Sequence, residues 1–320
     1  VPVTDTLAAS MEGRAVPALG MLVIRDGVVA EQGVRGARSL DAAGAVSLDD
    51  RWNLGSDGKA MTATMVARLV ERGLLRWDAP LSEMLPELAA DMRPEYRDVT
   101  LLDLMSHRAG LPENLGDLSD FQTFFTDTRP QPEQRLAYLR RAVAEAPVGP
   151  ARGEASYSNT GFLLAGAIAE RATGQAYAEL MQQEVFAPLG MTSATYDQTP
   201  DTGEAVGHID GRVAIETEGN PAMLTPAGGV RMTLADWARF CIDQLAGEEG
   251  LEALEQAQLA SLLATSGQAR RGIKTVLGHL GGDPAITLDQ ANAAFNDAFA
   301  SRDFAEGAQA FLEKRAPSFS

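Results

Sequence analysis

Residues 18–36, ALGMLVIRDGVVAEQGVRG, alternate apolar and polar side chains on both sides of Asp26-Gly27. Period two sends successive side chains to opposite faces of an extended chain, and Asp-Gly supplies the positive φ that a two-residue reversal needs. The stretch predicts a β-hairpin. The segments around it carry the other period. Residues 3–12, a run from about Ser56 to Arg72 closed by Gly73, a short piece of DVTLLDLMSHRAGLP, and residues 132–145, 158–173 and 176–186 all place apolar residues at helical spacing. GHIDGRVAIE predicts a second hairpin turned at Asp210-Gly211. TPAGGVRMTLADWARFCIDQL predicts a glycine-rich loop and then a helix from about Thr233, with Asp236 three residues on forming a capping-box-like start.

Composition removes several function classes. The net charge of -17, with no Lys/Arg stripe, argues against a nucleic-acid partner. One cysteine, Cys241, excludes an internal disulfide and a thiolate-cage zinc site, and its helical surroundings make it a small core residue. His107, His208 and His279 lie far apart without metal-ligand spacing, each a surface or core histidine rather than a catalytic one, so no metal or other cofactor is expected. No run is long enough for a membrane span. The chain opens VPVTDT without methionine, as a trimmed end or a removed signal peptide would leave it, and the compartment stays open.

A step in composition falls after roughly residues 250–265. All 11 methionines lie at or before Met232, and from Thr265 onward six basic residues balance six acidic ones. The negative charge thus belongs to the earlier part. The tail reads as helical throughout, over about 268–280, 287–300 and 303–315, with Asp303 and Glu306 at the capping positions of the last helix.

The chemistry gathers at RWNLGSDGKAMTATMVARLVERGLL, residues 51–75. Ser56 and Lys59, three apart at the head of a helix, share a face. A serine hydroxyl needs a neighbouring base, and a lysine whose pKa is depressed by burial can be one. The competing reading makes Ser56 a helix cap and Lys59 a solvated charge. LGSDG is not G-x-S-x-G, since Leu54 stands two before Ser56, which disfavours the nucleophile elbow of α/β-hydrolases. A second pair, Tyr157 and Asn159 in GEASYSNTGFLLAGAIAERATG, precedes another apolar helix, where a turn with Ser or Asn as cap would look the same. A phenol there can relay a proton and an amide can hold a lysine.

Together with VIRDGVV, WNLGSDGKAMTATMVARLVERGLLRWDAPLSEMLPEL, VTLLDLMSHRAGLP, YSNTGFLLAGAIAERATGQAYAELMQQEVFAPLGMTSATY and PAGGVRMTLADWARF, these motifs carry a family likeness. Residues 17 to about 247 resemble the serine β-lactamase-like hydrolases: class C β-lactamases, penicillin-binding D,D-peptidases and S-x-x-K carboxylesterases. The resemblance implies an α/β (α+β) fold, an antiparallel sheet flanked by helices with a helical subdomain at about 75–205, in a hydrolase region spanning residues 1–250. It implies a small-molecule ester or amide substrate, possibly a β-lactam. Ser56 would be the acylated nucleophile, Lys59 its base, Tyr157 the proton relay and Asn159 the group that orients substrate and Lys59. The Ser56 N–H would supply half of the oxyanion hole. Gly58 departs mildly from the pattern, at a cost of about 1 kcal/mol of helix stability relative to alanine.

The family's third motif, a K-T-G or H-x-G triplet on an edge strand, has no well-formed counterpart. IKTVLGHLGGDPA, residues 273–285, offers Lys274-Thr275 with Val276 in the glycine's place, and His279-Leu280-Gly281. Its periodicity is that of a helix ended by Gly281-Gly282. His279 is the candidate substitute in substrate binding. The tail, residues 251–320 and above all SRDFAEGAQAFLEKRAPSF, resembles instead the C-terminal helices of the crotonase family, which pack on a neighbouring subunit. That implies a fusion lacking its last sheet strands, with a homo-oligomer formed through the helical tail. A missing oxyanion donor typically costs about 2.7–4 kcal/mol. The alternative to a working hydrolase is therefore a crippled or non-catalytic binding and assembly protein of the same family.

Overall fold

The computed structural model describes residues 2–14, 16–41, 44–197, 204–209, 211–214 and 220–247. The chain divides into two units at Gln244/Leu245, and of the second only residues 245–247, the end of a helix, are described. The three tail helices, the 273–285 segment with His279, and Asp210 of the second hairpin lie outside the described residues.

Helix α1 (Val3–Met11) precedes strands β1 (Ala18–Arg25) and β2 (Val28–Gly36). Asp26 at φ 51° and Gly27 at φ 72° make the two-residue turn that Asp-Gly predicts, with positive φ at both central residues. β1 and β2 pair antiparallel, with a register shift at Val23/Ile24. Gly33 lies against Val3 and Leu7 of α1, whereas Gly20, one row away on the other face, lies against Trp52 and Leu234. Both faces of the hairpin are thereby covered.

Strand β3 (Trp52–Asn53) leads into α2 (Gly58–Glu71), followed by α3 (Leu81–Met84), α4 (Leu101–Met105), α5 (Leu118–Gln122), α6 (Gln131–Ala142), α7 (Asn159–Thr173) and α8 (Tyr177–Met181). Short strands β4 (His208–Ile209) and β5 (Arg212–Val213) form the second hairpin, and β6 (Arg231–Met232) precedes α9, residues 234–247. Among the described residues the strands pair antiparallel, β1 with β2, β3 with β6, and β4 with β5. The architecture mixes helices with antiparallel sheet, as the resemblance implies.

α7 is the centre of the packing. Residues 160–169 are all buried, so this helix is enclosed on every side by α2, α4, α6, α8 and the 3-10 segment Ala222–Ala227. Ser158 caps it, its Oγ accepting from Gly161 N at 3.2 Å, and Gly174 ends it in the left-handed conformation. The expected 176–186 helix is present with a change of pitch. α8 ends at Met181 and residues Gln182–Phe186 continue as a π-turn. At the start of α9, Thr233 Oγ1 accepts from Asp236 N at 3.3 Å, but the reciprocal bond is made elsewhere. Thr233 N donates to Ser193 Oγ, and the Asp236 carboxylate accepts from Ser193 N and Oγ. Cys241 is half-buried in this helix, and burial pushes its thiol pKa up.

Two contacts fix Ala222–Ala227 against α7. A Cβ at Gly166 would stand 2.5 Å from Pro226 Cγ, so only glycine lets the helix and the proline ring touch. Arg135 of α6, fully buried, reaches the Glu170 carboxylate of α7 at 3.3 Å and Thr225 Oγ1 at 3.2 Å. Gly166→Ala is expected to lower stability in urea by roughly 1–3 kcal/mol despite alanine's better helix propensity, because overpacking outweighs it. Unchanged or raised stability would contradict this packing.

Candidate active site

Three segments distant in sequence converge at Ser56. The first is the turn that carries it. Ser56 lies in a 3-10 turn, Gly55–Asp57, that runs straight into α2. Gly55 is at φ 52°, its N–H donating to Asn53 Oδ1 at 2.9 Å. Ser56 is therefore not the helix cap that its position allows, and α2 begins at Gly58 rather than at the serine.

The second segment, 227–230, is locked to that turn. Leu54 N donates to Val230 O at 3.0 Å, and Gly229 N donates to Gly55 O at 3.2 Å. A Cβ on Gly228 would sit 2.6 Å from Gly55 O, and one on Gly58 would sit 3.3 Å from Val230 Cγ1. A methyl at position 58 would thus press on the Val230 side chain, with Gly228 Cα in ordinary contact at 3.5 Å.

The third segment precedes α7. With Ser158 occupied as the cap, Tyr157 and Asn159 flank it and project into the site. Tyr157 OH and Ser56 Oγ are 2.6 Å apart. Lys59, on the first turn of α2 and only 6% exposed, donates from Nζ to Ser56 Oγ at 3.0 Å, Asn159 Oδ1 at 2.7 Å and Ala227 O at 2.6 Å. Asn159 is oriented in turn by Nδ2 donating to Asn114 Oδ1 at 3.0 Å. Burial lowers the Lys59 pKa to about 8, and the Glu113 carboxylate opposes that shift. Ser56 and Tyr157 face solvent while Lys59 does not, an arrangement that gives substrate access and keeps the amine desolvated.

Four of the five residues singled out in the sequence are thus gathered in one cluster, and His279 lies outside the described residues. Sequence reasoning missed three participants: the Ala227 carbonyl, Asn114 and His107. A carbonyl has no sequence signal, and Asn114 and His107 stand in or beside VTLLDLMSHRAGLP without spacing of their own. His107 packs on the Tyr157 ring, with centroids 4.7 Å apart. His208 is elsewhere, its Nε2 accepting from Leu40 N at 3.0 Å beside a cavity of about 330 Å³ lined by Arg38, Arg51, Trp52 and Arg231. Among the described residues no group of three or more His, Cys, Asp or Glu side chains is placed to hold a metal ion. No described helix is long and apolar enough to cross a membrane.

The profile of the family described as Beta-lactamase matches residues 3–282. The chain belongs to this family. The matched stretch runs past the composition step after roughly residues 250–265. The D-alanyl-D-alanine-carboxypeptidase/endopeptidase AmpH of Escherichia coli (strain K12) is 32% identical over 207 residues, 63% of this chain and 50% of that protein. Esterase EstB of Burkholderia gladioli is 31% identical over 213 residues, 64% of this chain and 53% of the esterase. A solved structure, the octameric penicillin-binding protein homologue from Pyrococcus abyssi, superposes with a TM-score of 0.61 at 25% identity, covering 75% of this chain and 55% of that one. The chain spans about half the length of these relatives.

Proposed function

We propose that this family member is a serine hydrolase that cleaves ester or amide bonds through an acyl-enzyme on Ser56. One observation carries the reading: two of the three groups around Lys59 Nζ, Asn159 Oδ1 and the Ala227 carbonyl, can only accept hydrogen bonds. In the neutral amine both N–H bonds are committed to them, and the lone pair is left pointing at Ser56 Oγ. That is the geometry of a general base on a nucleophile.

In the proposed cycle Ser56 Oγ gives its proton to Lys59 as the Oγ–acyl bond forms. The tetrahedral oxyanion is met by the Ser56 N–H at the α2 end, where the helix field favours negative charge. The Tyr157 phenol protonates the departing alkoxide or amine and is recharged from the Lys59 ammonium. Water then attacks the acyl group, giving up its proton along the reverse path and releasing Ser56.

Small neutral esters are the acyl donors expected to react best. A triplet that would read a substrate carboxylate is not well formed in the sequence, and Glu113 adds negative potential next to Lys59. The names of the relatives, a carboxypeptidase and an esterase, fit this acyl-transfer class. The test is incubation with p-nitrophenyl acetate or a fluorescent penicillin, followed by intact mass and peptide mapping. A covalent adduct on the peptide bearing Ser56 is expected. Turnover without it, or neither adduct nor turnover at high enzyme concentration, refutes the proposal.

A further inference from the structure

We infer that His107 is a positioning residue for this chemistry: it holds the Tyr157 phenol at the nucleophile by gripping the chain on both sides of that tyrosine and stacking on its ring. The inference rests on the acyl-enzyme reading. Tyr157 is 44% exposed and lies in a segment with no regular structure; its phenol meets Ser56 Oγ at 2.6 Å, and the rest of its placement is set by how the chain beside it is held. Ser156 N donates to the His107 carbonyl at 2.8 Å, and Ser158 N donates to His107 Nδ1 at 3.0 Å. One histidine thus binds the residues immediately before and after Tyr157. Its ring stands 4.7 Å from the Tyr157 ring, tilted by 33°, and is backed by Phe162 at 5.3 Å. On the tyrosine's other contact, Lys59 Nζ lies 4.7 Å from the same ring centroid. The Tyr157 ring is thus in contact with both the imidazole and the Lys59 amine.

His107 adopts φ 57°, the left-handed region that side-chain-bearing residues seldom occupy. That conformation persists where surrounding contacts over-determine it, and here it presents carbonyl and imidazole to one segment. An imidazole accepting at Nδ1 must carry its proton on Nε2. Burial, and after it the charge of Lys59, push the His107 pKa down to about 4, so the accepting form persists well below neutral pH.

The test compares His107→Asn and His107→Ala in the wild-type and Tyr157→Phe backgrounds, measuring acylation by p-nitrophenyl acetate, KM and thermal midpoint. Asparagine keeps an acceptor at the same distance along the side chain and tolerates left-handed backbone; alanine does neither. His107→Ala is expected to slow acylation about ten- to a hundred-fold, the scale of a misplaced reacting group, with KM little changed and His107→Asn recovering most of the loss. In Tyr157→Phe the alanine change is expected to cost less than twofold, because the two residues act as one unit. Equal losses in both backgrounds, or a loss accounted for by unfolding alone, would overturn the inference. A readout independent of turnover is the NMR shift of the Tyr157 ring compared between folded His107→Ala and His107→Asn, both of which lack the imidazole ring current: a difference between the two supports the clamp, and identical shifts overturn it. Absence of any Ser56 adduct in the wild type, with the Tyr157 resonance still differing between the two variants, would fault the acyl-enzyme reading and leave the clamp standing.

Discussion

Lys59→Met is expected to slow acylation of Ser56 by about a hundred- to ten-thousand-fold, the range attributable to a positioned general base, while leaving the thermal midpoint almost where it was. The two effects separate because opposing terms meet at one buried nitrogen. Lowering the amine from its ordinary 10.5 to about 8 means that the charge is disfavoured in the folded protein by roughly 3 kcal/mol, which methionine relieves. Methionine also leaves Asn159 Oδ1 and the Ala227 carbonyl without their donor, at about 1–3 kcal/mol each. Relief and loss nearly cancel, so the variant folds and does not react. The same shift sets a pH signature. The base works only when neutral, so acylation rises with pH through a midpoint near 8 and falls on the acid side. Stability follows the same sign. Between pH 8 and 10.5 the unfolded chain holds a proton that the folded one has released, so raising pH through this window stabilises the fold. Stopped-flow acylation against pH checks the first point and urea unfolding at pH 8 and 10 the second. An acylation-versus-pH midpoint unchanged in Lys59→Met would remove Lys59 from the base role.

Arg135→Met is expected to be the most damaging substitution for the fold, at about 3–5 kcal/mol, because it strands a carboxylate that is about nine-tenths buried. Arg135 has no exposed surface, and among the described residues Glu170 keeps one other hydrogen bond, from Tyr177 N at 2.9 Å. At roughly 2–4 °C per kcal/mol for a domain of this size, the thermal midpoint should drop by about 6–20 °C. Adding Glu170→Gln, which removes the charge and keeps an acceptor for Tyr177 N, is expected to restore most of that loss. Calorimetry of the single and double variants decides; a double variant no better than the single would mean that the cost lies in lost packing around the guanidinium.

Much of the site was legible because Ser56 and Lys59 are one helical turn apart and Tyr157 and Asn159 straddle a cap, and short-range spacing is what sequence reports well. The hairpin was legible for the same reason, since Asp26-Gly27 specifies its turn locally. What stayed hidden depends on long-range approach. β3 and β6 are two residues each, too short for any periodicity, yet their pairing brings the 227–230 backbone to Ser56. Gly228 reads as part of a loop, and its purpose appears only when its backbone meets that of Gly55. The 3-10 turn at Ser56 and the π-turn after Met181 are changes of pitch that one apolar pattern accommodates equally well.

Ser158 caps α7 between the two residues that reach into the site. One tripeptide thus fixes where the central helix of the core begins, where a phenol meets Ser56 and where an amide meets Lys59. Foldedness and reactivity are inherited together at this point. A mutant library randomised across residues 157–159 would therefore find its stable members and its active members to be largely the same clones, while a library in the β4–β5 hairpin would let the two properties drift apart.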